Sequence, residues 1–322
     1  MKKNKNKNKN AIVMLVARVN IIYNTLSYFY ENWNNKYQYP IYIHTFGKLI
    51  NLELREKINK GISKNIFFIE INPKIPGFIK DSDLFYNRKY IKYVRESFSK
   101  KRLGFLHMCN FLTNINSYGK IGCLSRKLNK YDNLMFLDDD IYLKKKINFD
   151  LFDYLKTYPA VSGFSDKLSK NQTNKDVTEN LWNFYRNLIL KKNIKPKSKI
   201  LNNSLKSKKD DVLYKLNWSH GSFELFNIRK LEKKNLSNYL KEFNNYGGAY
   251  KHRWNNGYVL DLFLRTFFNQ PIYNLDLIKK GFIEPKIQGA ENFIYWGYND
   301  AYNSVLFRLL VKIKKIFKRL FS

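Results

Sequence analysis

The stretch Asn133-Leu-Met-Phe-Leu-Asp-Asp-Asp-Ile-Tyr-Leu143 decides the fold that this sequence predicts. Residues 134–137 form an apolar run with the length of a buried strand, and three consecutive carboxylates follow it. A buried strand that ends in acids places them at the carboxyl edge of a sheet, where open α/β folds bind ligands. Side chains alternate along an extended chain, so we expect Asp138 and Asp140 on one side and Asp139 on the other.

Asp138 and Asp140 are the first candidate site residues. Two carboxylates that face the same way form a hard oxygen site, suited to Mg²⁺ or Mn²⁺ carrying a diphosphate. The alternative is a solvated acidic loop, which is the usual place for a run of charges. The apolar residues on both sides of the acids, in a strongly basic chain, favour the metal site.

The N-terminal part of the chain predicts alternating strands and helices. The patterns predict strands at 11–18, 39–44 and 65–71, with helices at 20–33 and 49–60 between them. This βαβαβ order implies an α/β fold with a parallel sheet of nucleotide-binding type. The sequence contains neither Gly-x-Gly-x-x-Gly nor a Walker lysine loop, so a dinucleotide-binding fold and a P-loop are not supported.

Composition limits the classes of protein and partner. The chain has 322 residues, 44% of them hydrophobic, which is enough for a sizeable core. Its formal charge of +33 suits nucleic acid, an anionic membrane surface or phosphorylated substrates. The lysines are spread along loops and both tails without a recognisable nucleic-acid module, so we expect no nucleic-acid partner. Cys109 and Cys123 form no Cys-x-x-Cys pair, which argues against a disulfide scaffold or a structural zinc site.

The predicted organisation is one large domain between two basic tails. Residues 1–10 are a low-complexity tail that we expect to be disordered, and residues 11–302 form the domain. Within it, residues 166–211 are polar and rich in lysine around a predicted helix at 177–190, which suggests an insertion or a mobile flap. The apolar run 11–16 is too short for a signal-peptide core or a spanning helix, so we expect a cytoplasmic protein or one peripheral on a membrane.

The last segment, 303–322, predicts a basic amphipathic helix. Apolar residues fall on one helical stripe and Arg308, Lys312, Lys315 and Arg319 on the other side, with no acid among the twenty residues. Such a helix suits the interface of an anionic membrane. A final helix that docks on the domain and solvates its basic face fits the pattern equally well.

Seven segments, in order, resemble motifs of one enzyme family. The segments are Asn34-Asn-Lys-Tyr-Gln-Tyr39, His107-Met-Cys-Asn-Phe111, 131–140, Thr178-Glu-Asn-Leu-Trp182, Trp218-Ser-x-x-x-Phe-Glu-Leu225, Gly247-Gly-Ala-Tyr-x-x-Arg-Trp254 and Lys280-Gly-Phe-Ile-Glu-Pro285. Together they resemble the fungal α-1,2-mannosyltransferases of glycosyltransferase family 15, over residues 11–285. The resemblance implies a GT-A fold, with a mostly parallel central sheet flanked by helices. It also implies Mn²⁺-dependent transfer of mannose, with retention, from GDP-mannose to a hydroxyl of a glycan or glycoprotein.

The resemblance assigns roles to individual positions. Glu224 aligns with the carboxylate proposed as the family's nucleophile, which attacks the anomeric carbon or stabilises positive charge on the sugar. The family's Glu-Pro-Asp becomes residues 138–140, so acids stay at both outer positions. Its metal-binding histidine falls on Leu260, and either the adjacent Asp261 or the nearby His252 replaces it, or the metal is held differently. A different nucleotide-sugar donor and a basic nucleic-acid-binding protein are the alternative functions.

Further candidates come from position alone. Arg18 follows the first strand, at the edge where a nucleotide binds, and is a candidate contact to it. Gly247 and Gly248 provide a turn that would let a donor approach closely. His220 and His252 are candidates for contact with the donor or the metal. Trp218 and Trp254 either stack on sugar or fill the core, and all of these residues have a purely structural alternative.

Overall fold

The structure, a computed structural model, describes residues 9–71, 74–85, 106–110, 128, 130–167, 178–207, 210–219 and 221–284. The tail 1–8, the segment 303–322, Cys123, His220 and Pro285 lie outside the described residues. Within the part of the chain that is described, no helix combines the length and apolar character needed to cross a membrane.

The first third of the chain alternates strands and helices as the patterns predict. The strands are β1 (Asn10–Leu15), β2 (Ile41–Phe46) and β3 (Ile66–Ile71), and the helices are α1 (Ile22–Phe29) and α2 (Leu52–Gly61). Helix α1 continues through a π-helical turn (Tyr30–Asn34) into a last turn (Asn35–Tyr37). Strand β1 ends three residues earlier than predicted, because the backbone N–H groups of Ala17 and Arg18 donate to a carboxylate instead of continuing the ladder.

The remaining elements complete one mixed sheet and its covering helices. The strands are β4 (Asn133–Asp138), β5 (Tyr142–Leu143), β6 (Ala160–Ser162), β7 (Ser165–Lys167), β8 (Asn217–Ser219), β9 (Phe223–Asn227), β10 (Tyr273–Asn274) and β11 (Ile283–Glu284). The helices are α3 (Leu181–Lys191), α4 (Lys199–Ser204), α5 (Ile228–Glu232), α6 (Leu236–Tyr246), α7 (Gly248–Lys251) and α8 (Asn256–Phe267). A 3₁₀ turn at Leu151–Lys156 and another at Asp210–Lys215 link them.

The central sheet has seven strands in the order β10-β6-β9-β4-β1-β2-β3. The pairs from β4 to β3 are parallel, and so is β6 with β10, while β9 runs antiparallel to both β4 and β6. The prediction of a mostly parallel sheet is therefore confirmed. Because β9 is antiparallel, its first residues lie beside the last residues of β4 and β6.

Both faces of the sheet are buried, which explains the continuous apolar runs of β1 and β4. Ala11 and Val13 pack on the face covered by α3, α6 and α8, whereas Ile12 and Met14 pack on the face covered by α1. The same alternation in β4 sends Leu134 and Phe136 to the first core and Met135 and Leu137 to the second. The result is a three-layer α/β arrangement.

The helical part of the segment predicted to be a flap belongs to the first core. Helix α3 buries Trp182 and Tyr185 completely, and Trp182 Nε1 donates to the carbonyl oxygen of Ser207 at 2.9 Å. The tyrosine hydroxyl shares a hydrogen bond of 2.8 Å with Thr266 on α8. Helix α3 therefore packs as part of the domain, and the prediction that residues 166–211 form an insertion or a mobile flap stays a prediction.

Burial of His44 in β2 predicts a loss of stability in acid. Burial lowers the pKa of this imidazole to about 4, below its unfolded value of about 6.5. The folded state therefore binds fewer protons than the unfolded state in this window, and stability falls as the pH falls from 6.5 to 4.

Chemical denaturation between pH 7 and 4.5 should show a loss of unfolding free energy about 2 kcal/mol larger for the wild type than for His44→Asn. Asparagine keeps a donor for the carbonyl of Tyr42, which accepts the His44 Nδ1 contact. Parallel pH curves for the two proteins would contradict the assignment.

Candidate active site

The three acids lie where β4 ends, at the carboxyl edge of the parallel strands. Asp138 is the last residue of β4 and pairs with Leu15 at the end of β1. Its N–H donates to the carbonyl of Ser222 at 2.9 Å, just before β9 begins. Strand β4 stops here and Asp139 and Asp140 form a turn, so the strict alternation expected for the three side chains ends with Asp138.

Asp139 holds the loop after β1 in place. Its Oδ2 accepts the N–H groups of Ala17 and Arg18, each at 2.7 Å, and its Oδ1 pairs with the Arg18 guanidinium. Its backbone carbonyl accepts the hydroxyl of Thr25 at 2.7 Å, which ties the turn to α1. The middle acid is therefore buried and structural, a role that the sequence analysis did not assign.

Arg18 bridges two of the acids rather than lying open for a ligand. Besides Asp139, its Nη2 contacts Asp140 at 3.1 Å, and four-fifths of its side chain is buried. The charges of Asp139 and Asp140 raise its pKa against the lowering effect of burial. The guanidinium stays charged, and it neutralises part of the negative charge at this edge. Its predicted contact to a nucleotide remains a prediction.

The surroundings of Asp138 disfavour the charged form of its carboxyl group. Burial raises the pKa of Asp138 to about 7, and the charge of Asp140 adds to the effect. The charge of Arg18 and a hydrogen bond with Ser222 oppose it. Three carboxylates thus share one guanidinium at this edge of the sheet.

The donor set of Asp138 and Asp140 fits a hard divalent cation. Mg²⁺ and Mn²⁺ prefer carboxylate oxygens, and Mg²⁺ is commonly held by one or two carboxylates together with substrate phosphates. Among the described residues, no three His, Cys, Asp or Glu side chains converge on one point that could hold a metal. A cation here would therefore depend on the diphosphate and water for its other ligands.

Glu224 lies one strand away, on the same face of the sheet as Asp138. In the register of β4 and β9, Glu224 pairs with Phe136, and residues 136 and 138 point to the same face. Glu224 is 3% exposed, and its Oε1 accepts a short hydrogen bond from the hydroxyl of Ser219 on β8. Burial raises the pKa of Glu224 to about 7, against the lowering effect of the Ser219 hydrogen bond. The charges of Asp261 and Asp138 raise it further.

Asp261 and Arg265 hold Ser219 in place. Asp261, fully buried on α8, accepts the N–H of Ser219 at 3.3 Å and pairs with Arg265 Nε at 2.7 Å. Arg265 also donates to the carbonyl of Asn217, so it joins α8 to β8. The sequence analysis missed Ser219 and Arg265. The spacing of Asp261 and Arg265, four residues apart on one helix, was the available signal.

The described side-chain contacts of Asp261 are with Ser219 and Arg265. Arg265 and Ser219 occupy its carboxylate, and burial raises its pKa against the lowering effect of Arg265. Its predicted part in metal binding remains a prediction. The other proposed replacement, His252, contacts Glu179 at 3.2 Å and Tyr246 at 3.2 Å instead.

Packing accounts for both candidate glycines. Gly247 ends α6 with a φ of +78°, and a Cβ there would lie 2.3 Å from the side chain of Ile79. A Cβ on Gly248 would lie 1.8 Å from the ring of Trp254. Neither position requires a bound donor to explain its glycine. Their predicted role in donor binding remains a prediction.

The motif at 178–182 contacts the motif at 247–254. Trp254 Nε1 donates to the carbonyl of Glu179 at 2.6 Å, and its ring stacks on Tyr246 at 5.1 Å. Trp254 and Trp218 are both buried, so they fill the core. His107, from another motif, contacts the hydroxyl of Tyr250 at 2.9 Å.

Comparison with known proteins identifies a family and several similar solved structures. The family model described as glycolipid 2-alpha-mannosyltransferase matches residues 1–274. The chain is similar to the mannosyltransferase Ktr4p from S. cerevisiae, with 19% identity over 84% of this chain and 69% of that one, and a TM-score of 0.66. It is also similar to core-mannan synthase A from Aspergillus fumigatus in a Mn/GDP form, with 13% identity over 83% and 72% of the two chains, and a TM-score of 0.67. The expected GT-A fold is confirmed, and no curated protein sequence matches the chain.

Proposed function

Because the chain belongs to the glycolipid 2-alpha-mannosyltransferase family, we propose that it transfers mannose from GDP-mannose to a sugar hydroxyl, forming an α-1,2 linkage with retention. The observation that carries this proposal is the placement of Asp138 and Glu224 on neighbouring strands, on one face, at the carboxyl edge. Two similar structures support the choice of donor, since one was solved with GDP and another in a Mn/GDP form.

Asp138 and Asp140 would hold Mn²⁺ or Mg²⁺ with the diphosphate of the donor. When bound, the cation neutralises the negative charge that develops on the departing nucleoside diphosphate. Arg18 keeps Asp140 in position, and Asp139 fixes the loop that carries Arg18. These residues would bind the diphosphate, and Glu224 lies beside them on β9.

Glu224 would act at the anomeric carbon. As a nucleophile, its carboxylate forms a bond to that carbon while the bond to the diphosphate oxygen breaks. The acceptor hydroxyl then displaces Glu224 and passes its proton to the departed diphosphate, and two inversions give retention. In the front-face alternative, the same carboxylate only stabilises positive charge on the sugar. The Ser219 hydroxyl orients the carboxylate in both routes.

Donor and metal can be tested by thermal stability. A ligand that binds only the folded state raises the unfolding midpoint. We expect a rise with GDP-mannose plus Mn²⁺, and its loss in Asp140→Ala at little cost in intrinsic stability. Asp153→Ala is the matched control, because Asp153 is exposed and pairs with Lys156 on the surface. A rise with another nucleotide sugar would replace the donor, and no rise with any donor would refute the proposal.

A further inference from the structure

A cavity of about 620 Å³ opens at the edge of the sheet opposite the candidate active site. Its lining includes Asn10, Asn133 and Asn227, which pair in register across β1, β4 and β9. Asn133 begins β4 and Asp138 ends it, so the two sites lie about 17 Å apart along one strand. We call this space the amino-edge cavity.

The asparagines give the amino-edge cavity directional polar groups. Asn133 Nδ2 donates to Asn10 Oδ1 at 2.7 Å. The Oδ1 atom of Asn133 is buried and has no hydrogen-bond partner among the described residues. The side chains of Asn10, Asn133 and Asn227 therefore make the floor of the cavity polar.

Aromatic rings form the apolar part of the lining. Tyr37 and Tyr39 stack with an interplanar angle of 5°, and Phe149 is 39% exposed. Phe149 meets Tyr154 edge-on at 5.9 Å, and Tyr154 stacks on Tyr273 at 5.0 Å. The aromatic surface therefore continues from the cavity toward the β10 edge of the sheet. Aromatic rings beside a few placed amides suit a ligand with apolar faces and a polar rim, as sugar rings have.

The charges of the lining favour a neutral ligand. Each of the three lysines in the lining already has an acceptor: Lys9 with Asp132 at 3.6 Å, Lys36 with the carbonyl of Asn148 at 3.0 Å, and Lys156 with Asp153 at 2.6 Å. A phosphate or carboxylate would have to compete with these acceptors. A neutral, hydroxyl-rich ligand does not compete for the lysines.

The rim of the amino-edge cavity is already fixed. Trp33 Nε1 donates to the carbonyl of Phe149 at 3.1 Å, and the Tyr39 hydroxyl donates to Asp150 at 2.5 Å. Asp150 also accepts the N–H of Phe152 at 3.0 Å at the start of a 3₁₀ turn. A lining held in one arrangement loses little conformational entropy when a ligand binds.

We propose that the amino-edge cavity binds a neutral oligosaccharide, as a second glycan site separate from the site of transfer. The choice of a mannose-containing glycan rests on the proposed function, whereas the preference for an uncharged sugar rests on the lining. A glycan held here would keep the chain near its substrate between transfer events.

The test is a calorimetric titration of the whole chain with a linear α-linked mannotetraose, in EDTA and without nucleotide sugar. We expect binding by the wild type and about three- to tenfold weaker binding by Phe149→Ala. The matched control is Phe67→Ala, because Phe67 is 40% exposed on the edge strand β3 and does not line the cavity. Asn148→Ala is the second variant, since this exposed residue can be truncated with little risk to the fold.

Transfer activity separates this proposal from the proposed function. Phe149→Ala should transfer mannose to a simple methyl mannoside at the wild-type rate, whereas Glu224→Gln should lose transfer and still bind the oligosaccharide. Loss of binding when GDP and Mn²⁺ are added would place the oligosaccharide in the transfer site and overturn the proposal. Absence of binding by the wild type, or equal affinities in Phe149→Ala, Asn148→Ala and Phe67→Ala, would also overturn it.

Discussion

The Asp139→Ala variant is expected to lose about 3–5 kcal/mol of unfolding free energy, because two backbone N–H groups lose their acceptor and the largely buried Arg18 guanidinium keeps only Asp140 of the two carboxylates that it bridges. Asp139 is 1% exposed and receives both N–H groups at 2.7 Å. Hydrogen bonds to a charged group contribute about 1.5–3 kcal/mol each, and they are not additive here. Since Arg18 would also be released from Asp139, we expect donor binding to weaken along with stability.

Urea denaturation measures the loss of unfolding free energy in Asp139→Ala, with Asp153→Ala as the control. Asp153→Ala removes an exposed acid paired with Lys156 at 2.6 Å, and it should cost less than about 1 kcal/mol. Equal losses for the two variants would mean that Asp139 does not support the loop after β1. Asp139→Asn should fall between them, because the amide keeps one acceptor oxygen but turns an N–H₂ group toward its donors.

The Glu224→Gln variant is expected to lose transfer activity by about 10³-fold or more while keeping its fold. The amide has nearly the same shape, and its oxygen can still accept the Ser219 hydroxyl, but it cannot supply a negative charge at the anomeric carbon. Initial rates with saturating donor and Mn²⁺ measure the loss. Ser219→Ala is the comparison: it keeps the carboxylate and should cost about tenfold, in line with the loss of one orienting hydrogen bond. Retention of a tenth or more of the wild-type rate in Glu224→Gln would remove Glu224 from the reacting centre.

The stability of Glu224→Gln gives an independent readout. The folded-state pKa of about 7 lies above the unfolded value of about 4.3, so the wild type loses stability as the pH rises through this window. Glutamine does not ionise, and the variant escapes this loss. Without metal, the variant should therefore gain about 1–3 kcal/mol over the wild type at pH 8 and nothing at pH 4. An unchanged difference between these pH values would show that Glu224 is not buried as described.

Local patterns were sufficient for most of the fold near β4. The apolar run 134–137 and its three acids predicted a buried strand and a polar edge, and β4 ends at Asp138. The alternation of strands and helices before residue 71 predicted the parallel half of the sheet. Composition did not reveal the core contribution of α3, because a count of lysines does not show that Trp182 and Tyr185 are buried.

The sequence by itself determined which acidic residues lie at the edge of a sheet, because the period of a strand and the length of an apolar run are local properties. Only the tertiary structure decided which partners those acids meet. Asp139 is bound by Arg18, 121 residues earlier, and Asp138 shares a face with Glu224 because the antiparallel β9 inserts between β4 and β6. The order of strands in a sheet depends on long-range closure and packing, and no short stretch of sequence encodes it.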